Sequence, residues 1–346
     1  MPPTAPPVAG IIPVLPPWYH PRHWPWWGAV GLLWLGVRLP FHCWQALGSG
    51  LGELLYLTAT SRRRVAATNL ALCFPHWCPR ERRRRCRDHF RALGRGLLET
   101  AWCWFAPRAT LARRLVAIDG IHHLQRALDQ GHGALLLSAH FTHMEVGATL
   151  LGLHYPGAAV FRPYTNPGLD ALMQRRRARF AHRRRTVTNR RPREMLRCLA
   201  DNAFLWLAPD QNYRGPKPHF ASLLGIPVAL YPGLSTLARH SRAPVLPFYQ
   251  QRVPGGFRLI IGPPLAPFPS ADPNADARLV AHQLEAMIRC QPTAYLWIHR
   301  LFKTPPPRDT PPHPPPPPPP PTRPPPPPPP GPPPAPPPNP RPVCVT

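Results

Sequence analysis

Between about residues 115 and 262 the chain alternates short apolar runs with segments whose apolar residues recur every three or four positions. Runs of strand length fall at 133–139, 158–163, 203–208, 244–250 and 257–262. Helical periods fall at 142–153, 168–183, 192–201, 232–241 and 274–290. This alternation predicts an α/β fold with a mixed, mostly parallel sheet flanked by helices. In such sheets, sites gather beyond the carboxyl ends of strands.

Upstream the pattern changes. Trp24-Pro-Trp-Trp-Gly-Ala-Val-Gly-Leu-Leu-Trp-Leu-Gly-Val37 is uncharged, and after Arg38 the apolar character resumes through Trp44. Those 14 residues fall short of a membrane span, but 24–44 reaches 21 if Arg38 snorkels. Tryptophans at both ends suit interfacial anchors. Residues 24–44 are therefore expected to insert into a membrane or lie deep in its interface, with an apolar helix continuing over 45–60. A basic amphipathic helix follows at about 79–104, with Phe90, Leu93, Leu97, Leu98, Trp102 and Trp104 on or near its apolar side. The proline-rich ends cannot join a core. The chain thus divides into a disordered segment 1–17, a membrane anchor 18–60, a main domain 61–304 and a disordered tail 305–346.

The stretch Leu135-Leu-Leu-Ser-Ala-His140-Phe-Thr-His-Met-Glu145 carries the strongest chemical signal. An apolar strand delivers a histidine to its carboxyl end, and a carboxylate follows after four intervening residues. Histidine suits proton transfer near neutrality, and a carboxylate on one ring nitrogen leaves the other free as a general base. If a helix starts just after His140, the imidazole can turn back toward Glu145. His143 is the rival base, two residues before Glu145. Gly-x-Ser-x-Gly is absent and no nucleophilic serine or cysteine motif stands out, which favours direct transfer over a covalent intermediate.

His140-x4-Glu145 is followed by Val160-Phe-Arg-Pro-Tyr-Thr-Asn-Pro167, Trp206-Leu-Ala-Pro-Asp-Gln211, Gly225-Ile-Pro-Val228 and Tyr295-Leu-Trp-Ile-His-Arg-Leu-Phe-Lys303. His20-Pro-Arg-His-Trp24, Asn69-Leu-Ala-Leu-Cys-Phe-Pro75 and Gly96-Leu-Leu-Glu-Thr100 precede it. In this order and spacing, over roughly 18–305, the chain resembles the late acyltransferases of lipid A biosynthesis, within the His-x4-Asp/Glu acyltransferase superfamily. The resemblance implies a glycerol-phosphate-acyltransferase-like fold and an O-acyltransferase needing no cofactor and no metal. His140 would be the base and Glu145 its orienting carboxylate. Arg162 and Asn166 would shape the acceptor cleft, Asp210 would support the site, and Arg177, or a neighbour within Arg175–Arg179, would bind a phosphate. The implied donor is acyl carrier protein and the implied acceptor a phosphorylated lipid A precursor at the cytoplasmic face of an inner membrane. A different lipid or glycolipid acceptor is the nearer alternative. A non-catalytic basic membrane-binding protein is the more distant one.

Charge fits that set of partners. With 42 Lys and Arg against 15 Asp and Glu, the formal net charge is +27, and only Lys217 and Lys303 are lysines. A strongly basic surface suits an acidic carrier, a phosphorylated substrate or an anionic bilayer. No nucleic-acid-binding motif is present. The eight cysteines show no zinc spacing and are expected as free thiols.

Overall fold

The computed structural model describes residues 15, 20–179, 185–189, 191–213, 215 and 218–304. The expected tail 305–346, most of segment 1–17 and the end of the 168–183 helix lie outside the described residues. A single 3-10 turn, Pro21–His23, leads into α1 (Trp24–Gly36), α2 (Phe41–Thr58), α3 (Thr60–Cys73), α4 (Pro79–Phe105) and α5 (Arg108–Ala112). Then come β1 (Leu115–Asp119), α6 (Ile121–Asp129), β2 (Ala134–Leu137), α7 (Met144–Leu151), β3 (Gly157–Phe161), α8 (Pro167–Ala178), β4 (Arg185–Thr188) and α9 (Pro192–Ala200). The remainder is β5 (Phe204–Leu207), β6 (His219–Leu223), β7 (Ile226–Leu230), α10 (Gly233–Ser241), β8 (Val245–Val253), β9 (Gly256–Ile261) and α11 (Pro273–Cys290). Prolines open α4, α8, α9 and α11, where the missing N–H costs nothing and the fixed φ is already helical.

Seven strands form one sheet in the order β1-β9-β8-β2-β5-β3-β4, parallel except where β8 meets β9. The expected mostly parallel sheet flanked by helices is what the chain forms. Its centre reads as apolar runs because both faces are covered. Leu135, Leu137, Leu205 and Leu207 point into a core closed by α3, α9, α10 and α11. Ala134, Leu136, Phe204 and Trp206 point into a second core with α4, α6, α7 and α8. β6 and β7 form a separate antiparallel hairpin, turned by Leu224 and Gly225 at φ 54° and 83°.

Residues 24–44 do not make one helix. Pro40 cannot continue a helix, and the chain breaks between α1 and α2. Among the described residues no helix is long and apolar enough to cross a membrane. α1 has no fully buried residue: Trp26, Val30 and Leu33 pack on the core, while Trp24, Leu32, Trp34 and Leu35 are exposed. Arg38 stacks on Trp34, 3.9 Å from the ring centre. α2 lies against α4, and this contact depends on missing side chains. A methyl on Gly94 would collide with the backbone of Gly48 and Gly52, so the two helices cross at backbone distance.

Candidate active site

β2 and β5 are parallel neighbours with Leu137 opposite Leu207. Three residues beyond each stand His140 and Asp210, so sheet register alone brings them to the same edge. The buried Asp210 accepts a hydrogen bond from His140 Nδ1 through Oδ1 at 2.5 Å and from the His140 backbone N–H through Oδ2 at 2.9 Å. Burial opposes charge on Asp210, but His140, through its charge and two hydrogen bonds, outweighs it, with help from the nearby Tyr295 hydroxyl. The carboxyl is held below its usual range. An ionised Asp210 keeps the proton on Nδ1 and leaves Nε2 as the basic nitrogen.

The loop after His140 is tied down from the other side. His140 and Thr142 exchange backbone hydrogen bonds with Leu296 (2.9 Å) and Ala294 (2.8 Å), and the buried Phe141 bridges to Tyr295. From α4, Gly96 presses so closely on the Thr142 carbonyl that any side chain there would collide with it. Glu99 of the same motif is buried and binds Arg252 through two nitrogens at 2.8 and 2.7 Å, as well as Gln45 at 2.8 Å.

Glu145 does not take the expected place on His140. α7 begins at Met144, so Glu145 is already in its first turn and points to the helix layer. There it accepts from Trp104 Nε1 at 3.1 Å and from Arg177 Nη2 at 2.5 Å and Nε at 2.9 Å. His140 lies in the loop before that helix, so the two side chains do not share a helical turn. The carboxylate on the histidine is Asp210, from a strand far along the chain. Arg177 is likewise spent: the Glu145 charge overcomes burial and raises its pKa, and it does not line the cleft.

The other expected residues separate in the same way. Arg162 lines the cleft beside His140. Asn166 caps α8, accepting from the Leu169 N–H at 3.0 Å, and is not among the cleft residues. His143 is fully buried, with Nε2 3.1 Å from the Gln250 carbonyl. Burial first, and Arg252 second, push it well below the ordinary histidine range. It is a core histidine. In the run Arg175–Arg179, Arg176 stacks on Phe105 at 4.7 Å and Arg179 bonds the carbonyls of Cys103 and Ala106, so most of that cluster serves packing.

The cleft in front of His140 encloses about 620 Å³, a size typical of small-molecule sites. Trp206, Leu207, Ala208 and Pro209 supply an apolar wall, and Arg62, Arg162 and Arg300 supply cations. Among the described residues its lining holds no serine and no cysteine. The described cysteines are free thiols, and burial pushes Cys73 up to about 12 and Cys86 to about 11. The arrangement can remove a proton from a bound hydroxyl next to an apolar wall. Arg62, His299 and Arg300 had no role in the sequence reading. For His299 and Arg300 the signal available was the Tyr295–Lys303 block itself, which the fold ties to the loop after His140; Arg62 carried none.

A family model for bacterial lipid A biosynthesis acyltransferases matches residues 14–304. The lipid A biosynthesis lauroyltransferase of Escherichia coli strain K12 is 35% identical over 291 residues, covering 83% of this chain and 94% of the relative. The palmitoleoyltransferase of the same strain is 33% identical over 290 residues, with the same two coverages. A lipid A biosynthesis acyltransferase of Haemophilus influenzae is 30% identical over 303 residues, 86% of this chain and 96% of the relative.

Proposed function

The chain belongs to the bacterial lipid A biosynthesis acyltransferases, and from that premise we propose that it moves a fatty acyl chain, lauroyl or similar, from acyl carrier protein to a hydroxyacyl hydroxyl of a Kdo-bearing, phosphorylated lipid A precursor. The observation that carries the mechanism is the Asp210–His140 pair, with its basic nitrogen on a cleft that has both an apolar wall and cations. The acceptor hydroxyl gives its proton to His140 Nε2 while its oxygen attacks the thioester carbon. Asp210 stabilises the imidazolium formed. Collapse of the tetrahedral intermediate breaks the carbon–sulfur bond, and His140 returns the proton to the departing thiolate. No acyl-enzyme is needed. Glu145 acts one step back, holding the start of α7 through Arg177.

The same reading places the protein on the inner membrane with its site on the cytoplasmic side. Leu32, Leu54, Leu57 and Trp24 of α1 and α2 are 56–73% exposed, an apolar surface that suits the acyl boundary of a bilayer. Replacing Trp24, Leu32, Leu54 and Leu57 by polar residues, which leaves the packed face of α1 intact, should release much of the protein from membranes.

Mass spectrometry of lipid A from cells with and without the protein tests the function directly. Loss of one acyl chain, restored by the wild-type chain and not by His140→Ala, is the expected result. Unchanged lipid A, together with no transfer by the purified protein, would overturn the reading.

A further inference from the structure

Arg62, Arg162 and Arg300 reach the His140 cleft from three separate parts of the fold: α3, the end of β3, and the segment after Tyr295. All three are exposed, and none has a carboxylate partner among the described residues. The contrast is with Arg177 and Arg252, whose charges are consumed by buried glutamates. The wall that carries Arg300 is built, not loose. The buried Asn69, seven residues after Arg62 on α3, donates through Nδ2 to the carbonyls of Trp297 and His299 at 2.7 Å each. Arg62 itself reaches the Ile298 carbonyl at 3.4 Å. Leu296 is bonded to His140, so the position of this wall relative to the base is fixed.

From this we infer that the three arginines bind a phosphate monoester on the acceptor lipid, setting its distance from His140. The inference rests on the acyltransferase reading and goes beyond it in naming the recognised group and the residues. Guanidinium groups match phosphate oxygens in bidentate geometry. A monoester carries nearly two negative charges near neutrality, which three unpaired cations suit better than the single charge of a phosphodiester. His299 lies 6.5 Å from His140, ring to ring, and burial, then the His140 charge, keep it below the ordinary histidine range. His299 adds an imidazole able to hydrogen-bond to the same lining. Arg162 and Arg300 come from separate segments that line one cleft with the base, so one phosphate bound by both leaves the acceptor little freedom to slide.

The test uses the full-length protein in detergent with acyl carrier protein thioester as donor. Arg62→Gln, Arg162→Gln and Arg300→Gln are compared with wild type and with Arg278→Gln, an exposed arginine on α11 outside the cleft. Each cleft variant should raise KM for the phosphorylated acceptor about tenfold, the scale of one lost charge-assisted hydrogen bond. The gap between wild type and variants should close on the same acceptor after phosphatase treatment. Equilibrium binding of phosphorylated acceptor to His140→Ala protein should weaken on adding the same changes, a readout independent of turnover. An equal response to both acceptors would overturn the inference. So would a rise confined to KM for the donor, which would assign the arginines to the carrier's phosphodiester arm. Absence of any transfer by wild type would instead overturn the function reading.

Discussion

At the scale of single residues, the pair that matters was half legible. His140 stood out because an apolar run ends on it, and Asp210 because it ends another. Their partnership could not be read from spacing, since it arises from the parallel register of β2 and β5 across a long stretch of chain. Glu145 looked like the partner because it was near in sequence, but α7 starts only at Met144 and turns it to Trp104 and Arg177 instead. Asp210→Asn should keep the fold yet lose the tautomer preference, lowering turnover by about 10²–10⁴-fold with little change in donor KM. Steady-state kinetics of the purified variant will show it. Arg177→Met leaves Glu145 buried without its main cation, and breaking such a pair typically costs about 3–5 kcal/mol. Denaturant unfolding should register that loss, and any loss of activity should follow loss of folded protein. Unchanged stability would mean that Glu145 is not held as the geometry indicates.

Elements with both faces buried were the readable ones. The central strands and α8 to α11 were expected where they occur, whereas β1, β4, β6 and β7 were missed: β4 alternates polar and apolar residues over four positions, and β1 is apolar but short and partly exposed at the sheet edge. The membrane-anchor pattern was misjudged as continuous, since hydropathy counts residues and ignores the break that Pro40 imposes. α4 supplies a test at this scale. His89 is buried at its centre, with Nδ1 on the Thr293 carbonyl at 3.1 Å and Nε2 enclosed without a partner. Burial outweighs that bond and lowers its pKa from the ordinary 6.5 to about 4. The unfolded chain therefore takes up a proton that the folded one refuses between those values, so stability is full above pH 6.5 and falls as pH drops toward 4. The loss is about 3 kcal/mol. Thermal unfolding followed from pH 7 to pH 4 should show this slope, and His89→Asn should flatten it in part, His143 acting in the same direction. Gly94→Ala should destabilise by about 1–3 kcal/mol by forcing α2 off α4.

For the molecule as a whole, the surplus of 27 positive charges was legible at once, but its distribution was not. In the arginine run at the end of α8, Arg176 and Arg179 pack on the helix layer and Arg177 is paired with Glu145, while the unpaired cations of the cleft come from dispersed positions. Charge remaining on the surface should still favour an acidic carrier. Acyl carrier protein thioesters should outperform coenzyme A thioesters of equal chain length, and the advantage should shrink as salt screens the encounter. Equal efficiency at low salt would count against carrier docking. The register that joins His140 to Asp210 has a different kind of consequence, one for how such chains can diverge. Because the two residues meet through the ladder of β2 and β5, the excursion between them through β3, α8, β4 and α9 can lengthen or shorten without parting them. A single residue inserted between Leu207 and Asp210, by contrast, would carry the aspartate past the histidine. Relatives of this sheet edge are therefore to be sought by constant distances from strand to residue, with the separation between histidine and aspartate left to drift.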